Sequence, residues 1–348
     1  MAYKLPKKLI DLVPYEPISG EYEIRLDANE SFISLSEGMR ADICEVIRTA
    51  DFNRYPDPLC TELRALFAAD NGVSIENVSV GNGSDELISI LMNSFLEKGD
   101  RVITLSPDFS MYGFYCSGAE CENIVLKKDE DFNISVDAII SAAEESGARM
   151  IIFSNPCNPT SVGIEADEVR RLIRSTSALV VLDEAYMDFW NQSILSEVND
   201  YDNLIVLKTC SKAIGLAAIR LGFAVANPTL TRAINAAKSP YNVNTLTQEI
   251  GKIILSNTAY IKESLESILS SKQELYTALL AYNSDDFRVI DSKTNFIYIK
   301  TSRAAEIFEK LRADSIVIRC FGGGLRITAG TRQENDRLMS CLDSILRG

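Results

Sequence analysis

The sequence predicts an α/β fold, with a large unit built on a mostly parallel sheet between helices and a second, smaller α+β unit. Three observations predict it. From Val78 to Val225, short β-branched runs alternate with stretches of helical periodicity, the pattern of successive strand-helix units. From Leu246 to about Tyr282 the periodicity is long and helical, broken near Ser256-Asn257. Beyond that, strand and helix patterns alternate again in a shorter C-terminal block.

The strands expected in the large unit are the apolar runs 77–80, 101–105, 150–153, 178–182, 203–207 and 222–225. Helices are expected at 85–96 and 166–173, where apolar residues recur at helical spacing. In the C-terminal block, 295–299, 315–319 and 325–328 read as strands, and 304–311 and 334–346 as helices. The chain shows no internal repeat and no low-complexity segment, and 348 residues are too many for one small core.

A formal net charge of −14 argues against an electrostatic grip on nucleic acid or an anionic membrane, so small molecules are the expected partners. The eight cysteines form no C-x-x-C pairs and read as reduced thiols of a cytoplasmic protein. No run approaches the roughly 18 apolar residues of a membrane span, and the N-terminus lacks an apolar targeting region. The chain has no histidine. That excludes a Ser-His-Asp triad, a Cys-His pair and any imidazole-bound metal, leaving Lys, Tyr, Asp, Glu and Cys for acid-base work.

In open α/β sheets the residues just after each strand converge at one mouth. Here those residues are Asn155-Pro156-Cys157-Asn158-Pro159-Thr160, Asp183-Glu184-Ala185-Tyr186 and Thr209-Cys210-Ser211-Lys212. A lysine between small hydroxyl residues, followed eight positions later by Arg220, suits an amine that carries a cofactor covalently beside an anchored phosphate. Asp183, ending a fully apolar strand, needs a cationic partner if buried, and a protonated pyridine nitrogen supplies one. Taken alone, Asp183 reads as readily as a helix N-cap or a metal carboxylate, and Lys212 far more readily as a surface lysine starting a helix. Together with Arg220 they read as pyridoxal 5′-phosphate chemistry. Tyr186 and Asn158 can bond the ring hydroxyl. Gly83, Ser84 and Asp85 open a helix whose N–H groups can meet the phosphate, with Thr209, Ser211 and Arg220 completing the cradle. Tyr112 can stack on the pyridine face, or simply fill the core. Arg326, inside an apolar strand, wants an anion such as a substrate carboxylate, with structural ion pairing as the competing reading.

These segments resemble the fold-type I pyridoxal-phosphate aminotransferases, and within them the histidinol-phosphate aminotransferase family. The match runs nearly end to end, through Leu12-Val13-Pro14-Tyr15-Glu16-Pro17, Leu26-Asp27-Ala28-Asn29-Glu30, Tyr55-Pro56-Asp57-Pro58, Gly83-Ser84-Asp85-Glu86, Val181-Leu182-Asp183-Glu184-Ala185-Tyr186 and Leu325-Arg326-Ile327-Thr328. The resemblance implies a cofactor link at Lys212, ring pairing by Asp183, ring-hydroxyl contacts from Tyr186 and Asn158, stacking by Tyr112, and Arg326 on the substrate carboxylate. It also implies a homodimer in which Tyr55 reaches the partner's cofactor phosphate. Tyr15 and Asn29 would line the substrate pocket, and Arg319 would meet the substrate phosphate. The expected division is 1–45 as an N-terminal arm and part of the small unit, 46–240 as the large cofactor-binding unit, and 241–348 as the linking helix and small unit.

Two departures stand out. The family's Asn-Pro-x-Asn-Pro-Thr-Gly ends here in Thr160-Ser161, and the stretch between Arg319 and Arg326 is short. The activity implied is transfer of an amino group from L-histidinol phosphate to 2-oxoglutarate. The rivals are a threonine-phosphate decarboxylase and an aromatic or general amino-acid aminotransferase. The decarboxylases usually carry a His-Gly-Gly motif near the Leu26–Glu30 region, and this chain has no histidine.

Overall fold

The computed structural model describes residues 3–10 and 18–347. Its main sheet has the edge-to-edge order Val78–Asn82, Leu221–Ala226, Leu204–Thr209, Leu179–Asp183, Met150–Ser154, Arg101–Ser106, Glu122–Lys127. Every pairing is parallel except the two made by Leu221–Ala226, which runs against both neighbours.

Side-chain alternation along the central strands builds a core on each face. Ile151, Phe153, Val180, Leu182, Leu204 and Val206 pack on one side, and Ile152, Val181, Ile205 and Leu207 on the other. Burial on both faces is why these strands read as continuous apolar runs. Helix ends carry local signals: Asn227 accepts from the N–H groups of Thr229 and Leu230 ahead of Pro228–Ala237, and Gly147 in the left-handed region closes Val136–Ser146. Because the strands are parallel, Ser106, Ser154, Asp183 and Thr209 all end at one edge. In register, Ser154 faces Asp183 and Asp183 faces Leu207.

A smaller antiparallel sheet has the order Arg319–Phe321, Gly324–Thr328, Phe296–Thr301, Phe287–Val289. Its core takes Leu275 and Leu279 from Thr258–Leu280, Ile307 and Leu311 from Ala304–Ala313, and Leu338 and Leu342 from Arg332–Arg347. Ile24–Arg25 runs parallel to Ile316–Val317, which brings Ile24 and Leu26 into the same core.

The sequence reading missed Glu122–Lys127, an edge strand whose apolar run is only Ile124-Val125-Leu126, with Val125 itself exposed. The single strand expected at 315–319 is two pieces, Ile316–Val317 and Arg319–Phe321, serving different sheets. The break near Ser256 falls between Thr245–Leu255 and Thr258–Leu280. Among the described residues, no helix is long and apolar enough to cross a membrane.

Candidate active site

Lys212 follows the strand Leu204–Thr209 at the common edge, and its Nζ donates to the Ala28 carbonyl at 2.9 Å. The residue is half-buried. Burial, then the neighbouring Arg326 guanidinium, bring its pKa down to about 8. Asp183 is 4% exposed. Its Oδ2 accepts from the Tyr112 hydroxyl at 2.7 Å and its Oδ1 from the Ala185 N–H at 3.0 Å. Burial pushes the carboxyl up to about 6. With no salt bridge to Asp183 among the described residues, a cationic ring nitrogen is the partner this carboxylate lacks.

Tyr186 and Asn158 share a pattern that bears directly on a ring oxygen. The buried Tyr186 oxygen accepts from Asn29 Nδ2 at 2.8 Å, and its own proton has no acceptor among the described residues. Burial holds this phenol at about 12, so the proton stays on. Asn158 Oδ1 accepts from Arg326 Nη1 at 2.5 Å, leaving its amide nitrogen as the side chain's donor. Each residue has its acceptor occupied and a donor to spare.

The phosphate cradle is built on close approaches. The helix Ser84–Ser94 starts at Gly83, which has φ 84° and no side-chain cap. A Cβ on Gly83 would stand 2.6 Å from Arg220 Nη2, and one on Gly222 would stand 2.6 Å from the Ser84 nitrogen. Arg220, itself at φ 53°, reaches Ser211 Oγ at 3.2 Å, and Thr209 Oγ1 donates to Ser211 Oγ at 3.1 Å. Arg220 also meets Asp85 Oδ2 at 3.2 Å. The Asp85 carboxylate therefore faces the guanidinium, and the group it can offer a phosphate is its backbone N–H. An uncapped helix start, two hydroxyls and an arginine fit a phosphate, as Asp183 and the spare donors fit the ring.

Two expectations change. Tyr112 is 1% exposed with its hydroxyl on Asp183, so it has no open face for stacking. Phe109, edge-on to it at 5.5 Å and partly exposed, takes that candidacy. Its signal was available, an aromatic just after Pro107-Asp108 at a strand end. Asn29 is also 1% exposed, and both ends of its amide are engaged: Oδ1 accepts from Thr328 Oγ1 at 3.2 Å while Nδ2 serves Tyr186. It stands behind the site instead of lining a pocket. Tyr15 lies outside the described residues.

Arg326 is 7% exposed, donates to Asp27 O at 2.5 Å and stacks by Phe296 and Phe321. Arg319 stands directly across from it in the antiparallel pair. Tyr55 is 80% exposed and stacks on Tyr241 at 4.5 Å, on the surface of this chain. A separate cleft of about 310 Å³, near Lys128 and Arg171, lies behind the Asn155 loop, away from Lys212.

A model of aminotransferases of class I and II matches residues 23–342. This chain belongs to that family. It is a pyridoxal-phosphate-dependent transaminase of fold type I. The histidinol-phosphate aminotransferase of Clostridium novyi (strain NT) is 42% identical over 97% of this chain and 95% of its own. The one from Clostridium kluyveri (strain ATCC 8527) is 38% identical over 100% of both. Among solved structures, histidinol-phosphate aminotransferase from Sinorhizobium meliloti in complex with pyridoxal-5′-phosphate superposes with a TM-score of 0.90 at 22% identity, covering 99% of this chain and 98% of that one, a likeness of fold.

Proposed function

We propose that this aminotransferase moves the amino group of L-histidinol phosphate to 2-oxoglutarate, giving imidazole acetol phosphate and L-glutamate. Similarity over essentially the full length to relatives named for that activity is the observation that carries the reading. The paired arginines of the small sheet support it, because one site has to accept a carboxylate in one half-reaction and a phosphate in the other.

Pyridoxal phosphate supplies a carbonyl for amine exchange and a ring that withdraws electrons from the substrate α-carbon. Asp183 keeps the ring nitrogen protonated. Lys212 Nζ holds the cofactor at rest and then carries a proton from and to the substrate α-carbon, a task suited to an amine near 8. Tyr186 and Asn158 donate to the ring oxygen, and Phe109 covers a ring face. Gly83, Ser84, the Asp85 N–H, Thr209, Ser211 and Arg220 hold the phosphate. Arg326 binds the carboxylate of glutamate or 2-oxoglutarate, and Arg319 the phosphate of L-histidinol phosphate. Tyr15 belongs to the substrate pocket. The working form is a cytoplasmic homodimer in which exposed Tyr55 completes the partner's phosphate site.

The test is turnover of L-histidinol phosphate with 2-oxoglutarate, followed as glutamate formed, beside carbon dioxide release from O-phospho-L-threonine. The reading expects the first and not the second. Arg319→Ala should raise KM for L-histidinol phosphate about tenfold or more with little effect on glutamate. Decarboxylation without transamination would overturn it.

A further inference from the structure

The segment just before Glu30 is held by more hydrogen bonds than a pocket lining needs. Arg326 Nη2 donates to Asp27 O at 2.5 Å and Lys212 Nζ to Ala28 O at 2.9 Å. Asn29, in the left-handed region at φ 54°, donates its N–H to Thr328 Oγ1 at 3.1 Å and accepts at its carbonyl from Asn295 Nδ2, also at 3.1 Å. Asparagine tolerates that backbone conformation better than most residues, but it is still a strained place for an L side chain and needs its surroundings to hold it.

The orientation of the Asn29 amide follows from Thr328. That hydroxyl oxygen accepts the Asn29 N–H, and its own proton goes to Asn29 Oδ1 at 3.2 Å. The NH2 end is therefore left toward Tyr186, and it donates to the phenol oxygen at 2.8 Å. A phenol has one proton. With a donor already pointed at its oxygen from the Asn29 side, Tyr186 cannot give its proton back to Asn29 and must send it elsewhere. We infer that Asn29 is a positioning residue: its side-chain amide, oriented by Thr328 while Asn295 holds the backbone carbonyl, aims the Tyr186 phenol proton into the cofactor site. This rests on the role given to Tyr186 under the proposed function and adds a requirement to it. The donor at the ring oxygen is correctly set only while the strand that carries Arg326 keeps Thr328 in place.

A donor on the ring oxygen holds negative charge there and makes the neighbouring cofactor nitrogen a weaker base. The readout is the pH midpoint of the bound cofactor's absorption change in the loaded protein. Asn29→Asp keeps the shape and the left-handed backbone but presents an acceptor to the phenol, turning its proton away from the ring. The midpoint should rise by about one pH unit. Asn29→Gly suits the same backbone, adds no charge, and should move the midpoint in the same direction by less. Tyr186→Phe should raise it by itself, and on that background the Asn29→Asp shift should largely vanish. An unmoved midpoint in both Asn29 variants, or an Asn29→Asp shift just as large without the phenol, overturns the inference while leaving the role of Tyr186 intact. A Tyr186→Phe protein with an unmoved midpoint would overturn that role, and the inference with it.

Discussion

Tyr112 gives its hydroxyl proton to Asp183 Oδ2 in a place solvent does not reach, and burial followed by the Asp183 charge holds the phenol well above its usual pKa. The proton therefore stays on the phenol, and the carboxylate keeps a fixed donor that lowers its own proton affinity against the pull of burial. A hydrogen bond to a charged group contributes about 1.5–3 kcal/mol. Without that donor Asp183 gains proton affinity and pairs less well with a ring cation, so Tyr112→Phe should weaken cofactor retention by about tenfold, measured by dialysis against free cofactor. Unchanged retention would mean that the Ala185 N–H alone orients Asp183. The same arithmetic separates Tyr112 from Phe109: a stacking residue is replaceable by another flat ring, whereas Tyr112 acts through one oxygen.

At the scale of elements, the cradle depends on how closely the strand Leu221–Ala226 passes the start of Ser84–Ser94. Gly222→Ala would place a methyl group 2.6 Å from the Ser84 nitrogen, against backbone that cannot rotate aside. Overpacking of this kind costs about 1–3 kcal/mol. The variant should show a lowered Tm and faster loss of cofactor, and a protein with wild-type retention would place the phosphate elsewhere. The central parallel strands and the mouth beyond their ends were legible in the sequence, because double-sided burial writes continuous apolar runs and leaves Asp183 and Lys212 conspicuous after them. Other features were not legible. Glu122–Lys127 is an edge strand whose three apolar residues, Ile124 to Leu126, are exposed or half-buried, too short a run to stand out. The reversed direction of Leu221–Ala226 is a matter of connection, not of composition. The left-handed turn at Asn29 depends on Thr328 and Asn295, about 270 to 300 residues away, so nothing local announced that its amide would be consumed behind the site.

For the whole molecule, the site exists only where two sheets meet. The large sheet supplies Asp183, Tyr186 and Lys212, and the small one supplies Arg326, which reaches across to Asn158. The exposed aromatic surface around Phe52 and Tyr55 is where a second copy would complete the proposed phosphate site. The central claim is that these parts together perform amino-group transfer from L-histidinol phosphate with Lys212 as the working amine. The direct measurement mixes the purified, cofactor-loaded protein with L-histidinol phosphate in the absence of any keto acid and follows the absorption spectrum. Conversion of the resting band to that of the pyridoxamine form is expected, reversed by adding 2-oxoglutarate, with Lys212→Ala at least about 10⁴-fold slower. A resting band that L-histidinol phosphate leaves unchanged would contradict it.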